Sequence, residues 1–257
     1  MKDRIHWLAP PERLALTDGC VHVWLADLDL LADRVASFLA SLSPEEQNRA
    51  NRFRLELARS RFVVARGILR GLLAKYMDRP SGEIEIETNT FGKPFVKGDL
   101  GFNLSHSSSL AVFAFIRNGD IGVDVEQIRA DVEYLDIARD NFDEQTFQAL
   151  QVASKERQLE EFFWQWTSKE ALVKAMGKGL AEATRIEMDL LTQPPSHQAA
   201  RSAPKWRLYR FAPEGNFVAA IACSVTAQDF KWWRISSPAD ACDVERPLAD
   251  PVGCRCA

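Results

Sequence analysis

The sequence predicts an α+β protein with a pseudo-duplicated, two-lobed fold, each half a small, mostly antiparallel sheet packed with helices. Three observations lead there. The apolar runs change in kind along the chain, giving strand, helices, strands, and then strand, helices, strands again. That order inserts a helical region into a sheet twice, which is α+β rather than strictly alternating α/β architecture. No residue-level repeat accompanies it, so the duplication is one of topology. The length of 257 residues suits one or two domains and can bury a core without disulfides or a structural metal. A composition of 46% hydrophobic and 26% charged residues is that of an ordinary globular protein.

The elements follow in order. Val21–Leu28 (VHVWLADL) alternates Val21, Val23 and Leu25 against His22 and Trp24, the two-residue period of a strand. Ser43-Pro44-Glu45-Glu46 starts a helix, with a capping serine, proline at the first helical position and acids in the first turn. The helical region runs to about Tyr76, with a break expected around Arg54–Ala58, and Pro80 and Gly82 follow it. Ile84–Thr88 alternates as a strand, and Thr90–Pro94 is a turn. Gly101–Ser109 (GFNLSHSSS) is a short strand running into a polar turn, and Leu110–Ile116 (LAVFAFI) is a nearly all-apolar, buried strand. Asn118-Gly119-Asp120 is a tight turn before the strand Ile121–Val125. Helices are predicted over 133–151 and 154–176, the second with Phe162, Phe163, Trp166, Leu172 and Val173 as apolar positions and Gly177-Lys178-Gly179 as its stop. Lys205–Phe211, Phe217–Val225 and Phe230–Ile235 read as closing strands. The halves are therefore 1–119 and 120–236, with a tail, 237–257, predicted disordered.

The 32 basic and 36 acidic side chains leave a net charge of −4, which excludes a globally basic nucleic-acid coat. Five cysteines (Cys20, Cys223, Cys242, Cys254 and Cys256) are odd in number and scattered, unlike a disulfide framework. A metal-binding pair at Cys254 and Cys256 stands as the alternative to a plain tail. No apolar run approaches the roughly 18 residues of a membrane helix. The start, Met-Lys-Asp-Arg-Ile-His-Trp, lacks the apolar core of a signal peptide. A cytoplasmic protein is expected, with neither nucleic acid nor membrane as partner.

Four features carry chemistry. Asp124 and Glu126 lie at i and i+2 on a strand and so share a face, where two carboxylates repel unless a cation sits between them. A hard divalent ion with oxygen ligands resolves that repulsion; a solvated strand end is the plain alternative. Glu170 and Lys174, at i and i+4 with Trp166 on the same helix face, make either a surface ion pair or a third functional carboxylate among apolar neighbours. Asn103-Leu104-Ser105-His106-Ser107 at a polar turn offers amides, hydroxyls and imidazole to a phosphate, or is an ordinary turn. Arg49–Arg70 carries seven arginines against one acid, Glu56. Of these, Arg52, Arg59, Arg66 and Arg70 form a predicted stripe suited to phosphate, or else a solvated face. Together these describe metal-assisted movement of a phosphate-linked group.

Ile121-Gly122-Val123-Asp124-Val125-Glu126, then 39 intervening residues, then Trp166-Thr167-Ser168-Lys169-Glu170-Ala171-Leu172-Val173-Lys174 resembles the signature of 4′-phosphopantetheinyl transferases. Gly92-Lys93-Pro94, Phe102–Ser107 and Gly177-Lys178-Gly179-Leu180 match further family blocks in order. The resemblance spans about residues 43 to 190, and the length is similar to the monomeric, two-lobed Sfp-type subclass. It implies transfer of phosphopantetheine from coenzyme A to a serine of an apo acyl or peptidyl carrier protein, leaving 3′,5′-ADP, at the junction of the lobes. It implies Mg2+, with Mn2+ as a possible substitute, on Asp124, Glu126 and Glu170. By the same resemblance Glu170 helps to deprotonate the serine and Lys174 neutralises the pyrophosphate. Arg49, Arg61, Lys93, Ser105 and His106 are the implied coenzyme A contacts. One position departs: Glu46 stands where some relatives carry a lysine.

Carrier docking is expected on the stretch from Met176 to Leu190, at Met176, Lys178, Leu180, Arg185 and Met188. Two other functions fit the same residues. A Mg2+-dependent phosphohydrolase would release phosphopantetheine to water. A non-catalytic coenzyme A-binding module would tolerate loss of Glu170.

Overall fold

In a computed structural model the chain is described over residues 5–178, 206–224 and 227–241. The body of the expected docking stretch and most of the expected tail, with Cys242, Cys254 and Cys256, lie outside these residues.

Two sheets stacked face to face form the centre. The first has the order β4-β5-β1-β9, from β1 (Cys20–Asp27), β4 (Leu100–Ser107), β5 (Leu110–Arg117) and β9 (Asp229–Ile235). The second is β6 (Ile121–Gln127), β8 (Phe217–Cys223) and β7 (Arg207–Phe211), antiparallel throughout. A two-residue ribbon, β2 (Glu87–Thr88) and β3 (Pro94–Phe95), is all that forms of the strand predicted over 84–88.

The stacking explains the apolar runs. Val21, Val23 and Leu25 of β1 and Val112, Ala114 and Ile116 of β5 face Ile121, Val123, Val125, Ala219 and Ile221 across the gap between the sheets. The alternate residues Trp24, Ala26, Ala111, Phe113 and Phe115 face the opposite way. There they meet Phe62, Ile68, Leu69, Leu72 and Leu73 of α3 (Glu56–Met77). A strand covered on both faces has no polar position to show, so LAVFAFI reads as continuously apolar. Each buried Val, Leu, Ile or Phe among them contributes roughly 1.5–3 kcal/mol. On the outer face of the second sheet, Ala171, Leu172 and Ala175 of α6 (Lys155–Met176) pack on Ala220, Ala222 and Leu208. The layers therefore run helix, sheet, sheet, helix.

The helical region predicted to Tyr76 is two helices. α2 (Pro44–Ala50) starts with a capping box: Glu46 N–H donates to Ser43 Oγ (3.2 Å), and Ser43 N–H donates to Glu46 Oε2 (3.1 Å). The chain leaves the helix over residues 51–55 and α3 begins at Glu56. A short α1 (Val35–Ala40) precedes them. The helix predicted over 133–151 is likewise two, α4 (Tyr134–Asn141) and α5 (Glu144–Val152), with Asp143 capping the second through Thr146 N–H at 2.9 Å. The last described element is α7 (Pro238–Ala241). Among the described residues no helix is long and apolar enough to cross a membrane.

The division near residue 120 does not separate the sheets. β9 belongs to the second half in sequence but pairs in parallel with β1, Cys20 opposite Asp229, as the edge of the first sheet.

Candidate active site

The alternation of β6 places the site. Val123 and Val125 point between the sheets, so Gly122, Asp124 and Glu126 point toward α6. At Gly122 the helix backbone comes so close that an added Cβ would lie 2.1 Å from Ala171 O and 2.2 Å from Ala175 N. The absent side chain is what lets α6 bring Lys174 to Asp124. Lys174 Nζ donates to Asp124 Oδ1 at 2.6 Å. Gly177 ends the helix in the left-handed conformation, φ +62°.

Three carboxylates meet there with one ammonium. Asp124 is 3% exposed. Its Oδ1 accepts from both Lys174 and Ser105 Oγ (2.9 Å), while its Oδ2 is buried with no hydrogen-bond partner. Glu126 Oε2 accepts from Ser107 Oγ at 2.6 Å. Burial pushes the Asp124 carboxyl above its ordinary range against the pull of Lys174. Glu126 is raised by burial, and by Asp124 beside it. Glu170 is raised by burial first and then by Asp124 and Glu126. An unpartnered buried carboxylate oxygen costs more than about 1–3 kcal/mol, the range for a neutral group. Among the described residues no three such side chains stand ready as a metal site. What fits a cation is the bare Oδ2 amid excess negative charge, an all-oxygen donor set suited to a hard divalent ion. Lys169, the other residue of the Lys-Glu pair, is buried and donates to Asn141 O, tying the end of α4 to α6.

A cationic group lies beside it. His106 faces away from Ser105 on β4 and keeps part of its surface open to solvent. Its imidazole pKa is lowered by burial and then by Lys174, Arg66, Arg61 and Arg49. The Arg49 and Arg66 guanidinium carbons stand 5.1 and 5.8 Å from the Phe62 ring centre. Arg61 forks onto Asp29 at 2.8 and 2.7 Å. This gathering of positive charge around one imidazole is an anion-binding arrangement.

Two expectations are corrected. The stripe Arg52, Arg59, Arg66, Arg70 does not form, because Arg52 lies in the 51–55 connection and Arg70 points into the protein. Arg70 is 3% exposed, pairs with Glu46 at 2.5 Å and donates to Ser81 O and Ile84 O. Glu46 is thus occupied as cap and counter-ion where some relatives carry a lysine. Residues 103–107 are strand rather than turn, with Ser105, His106 and Ser107 paired in the ladder to Val112, Ala111 and Leu110. The turn is Ser108-Ser109.

Asp124, Glu126, Glu170, Lys174 and Ser105 are brought together, and Arg49, Arg61 and His106 adjoin them. Lys93 is not in that group: its Nζ donates to Ala175 O at 2.7 Å, and burial lowers its pKa. Sequence reasoning missed the use of Asn103, whose Oδ1 accepts from Val123 N–H at 3.0 Å, and of Ser107. The signal was present as polar residues at i, i+2 and i+4 facing a strand with carboxylates at i and i+2.

Residues 120–222 match the model of the 4′-phosphopantetheinyl transferase superfamily, and residues 31–117 match that of the 4′-phosphopantetheinyl transferase N-terminal region. The chain is 35% identical over 232 residues to the 4′-phosphopantetheinyl transferase HetI of Nostoc sp., covering 88% of this chain and 97% of that one. It is 27% identical over 157 residues to the 4′-phosphopantetheinyl transferase Sfp of Bacillus subtilis, covering 60% and 69% of the two chains. It is 27% identical over 166 residues to the L-aminoadipate-semialdehyde dehydrogenase-phosphopantetheinyl transferase of Mus musculus, covering 59% and 54%. The protein carrying this carboxylate and arginine site belongs to the 4′-phosphopantetheinyl transferase superfamily, on the Sfp-like, two-lobed side of it.

Proposed function

We propose that the chain transfers 4′-phosphopantetheine from coenzyme A to a serine of an apo acyl or peptidyl carrier protein, with Asp124, Glu126 and Glu170 holding Mg2+. The observation that carries this reading is the bare, buried Oδ2 of Asp124 beside the carboxylates of Glu126 and Glu170, with Lys174 one turn of helix from Glu170 and the arginine group nearby. Mg2+ held by Asp124, Glu126 and Glu170 would supply charge neutralisation at the pyrophosphate and Lewis-acid polarisation of the phosphorus under attack.

The remaining steps belong to the protein. Arg49, Arg61, Arg66 and His106 hold the 3′-phosphate of coenzyme A. Glu170, its pKa raised, accepts the proton of the carrier serine. The serine oxygen bonds to the phosphorus bearing pantetheine, and the bond from that phosphorus to the bridging oxygen breaks. The electron pair leaves on 3′,5′-ADP, where Lys174 stabilises the developing charge. Both charge clusters come from one chain, which supports a monomer as the working unit. Asp124→Ala is expected to abolish turnover while the fold survives.

The test incubates the protein with coenzyme A, Mg2+ and an apo carrier protein. A carrier mass gain of one phosphopantetheine supports transfer. Free phosphopantetheine with unmodified carrier would show a hydrolase, and neither product would show a binding module.

A further inference from the structure

β4 and β6 lie side by side at the junction without a backbone ladder between them. Side chains take its place. Asn103, Ser105 and Ser107 are spaced two apart on β4, and each meets β6 in step: Asn103 at Val123 N–H, Ser105 at Asp124, Ser107 at Glu126 and Gln127 N–H.

The direction of each hydroxyl proton follows from the inventory of donors. A serine hydroxyl has one proton to give and lone pairs to receive. Ser107 Oγ receives the Gln127 N–H at 3.2 Å, so its proton goes to Glu126 Oε2 at 2.6 Å. Ser105 Oγ receives from Lys174 Nζ at 3.0 Å, and its proton goes to Asp124 Oδ1 at 2.9 Å. The same oxygen of Asp124 also takes the Lys174 proton, which leaves Oδ2 bare. In both pairs a serine saturates one carboxylate oxygen and thereby fixes where the other points.

We propose that Ser107 is a positioning residue that locks the Glu126 carboxylate, presenting its second oxygen to a divalent cation in the way Ser105 presents Asp124 Oδ2. The inference rests on the metal reading above. Ser107 acts through Glu126: it removes the rotational freedom of that carboxylate before the cation arrives. Loss of such an outer partner typically costs about 10–100-fold in metal affinity.

Ser107→Ala and Ser107→Thr test it, with Mn2+ as the probe and its binding followed by electron paramagnetic resonance on the full chain without coenzyme A. Ser107→Ala is expected to weaken Mn2+ binding about tenfold. Ser107→Thr, which keeps the hydroxyl, is expected to stay near wild type. At saturating Mn2+ the KM for coenzyme A is expected to be the same in all three. Wild-type Mn2+ affinity in folded Ser107→Ala, or equal losses in Ala and Thr variants, would overturn the positioning role. If Ser107→Ala does not fold, a weakened but folded Ser107→Thr overturns it alone. Absence of Mn2+ binding by the wild-type chain would instead overturn the metal reading itself.

Discussion

Gly122 is the point where the signature strand and the catalytic helix touch, and Gly122→Ala perturbs only that contact. The new methyl would stand 2.1 Å from Ala171 O and 2.2 Å from Ala175 N. Ordinary contact needs about 3.5 Å, so α6 must retreat by about 1.4 Å. Both obstacles are helix backbone, and no side chain can swing aside. Overpacking of this kind costs about 1–3 kcal/mol. In a chain of this size each kcal/mol lowers Tm by about 2–4 °C. The functional cost is larger. Lys174 reaches Asp124 across 2.6 Å, and Glu170 is one turn earlier on the same helix. A displacement near 1 Å of such groups lowers turnover about 100-fold. Arg49, Arg61, Arg66 and His106 stand on other elements, so coenzyme A binding without metal is expected to persist. Thermal unfolding, carrier mass gain over time and coenzyme A calorimetry measure the three. Turnover within about threefold of wild type at unchanged Tm would refute the close-packing argument.

The other predictions follow from charge. Arg66→Ala is expected to raise the KM for coenzyme A about tenfold with kcat little changed, because it removes one charged phosphate donor; steady-state kinetics decide it. Metal and coenzyme A binding should respond oppositely to pH. Asp124, Glu126 and Glu170 have raised pKa values, so Mn2+ affinity falls as pH drops through those raised values. The His106 pKa lies below 6.5, so metal-free coenzyme A binding strengthens as the imidazole gains its proton. Calorimetry from neutral pH downward shows both slopes. In the metal-free protein these carboxylates bind protons more tightly than in the unfolded chain, so stability is lost as pH rises through their raised pKa values. Glu126→Gln is therefore expected to raise the metal-free Tm at neutral pH by about 2–4 °C while abolishing Mn2+ binding.

Much of the site was legible because it depends on local period. Asp124 and Glu126 alternate with Val123 and Val125, so their common face follows from strand geometry. Glu170 and Lys174 share a helix face for the analogous reason. What depended on partners from other elements was not legible. Whether an arginine of α3 faces a ligand or the core is decided for Arg70 by Glu46 on α2. Lys93 ends on a helix carbonyl because the turn that bears it abuts the end of α6, where Asn89 also donates to Gly177 O at 2.9 Å. Ser105 faces Asp124 because β4 and β6 sit beside each other across two sheets, a relation no periodicity encodes. α1 escaped notice because Val35–Ala40 is short and has no side-chain cap.

The return of β9 to the first sheet has a consequence for synthesis. β1 leaves the ribosome early, with its apolar strand complete, yet one of its neighbours lies about 200 residues further on. At about 5–20 residues per second its outer edge stays unpaired for about 10–40 s. An open strand edge flanked by exposed apolar surface is a template for pairing with another chain. In the nascent protein that edge is covered only once β9 has been made. Truncation before residue 229 would damage the lobe made first.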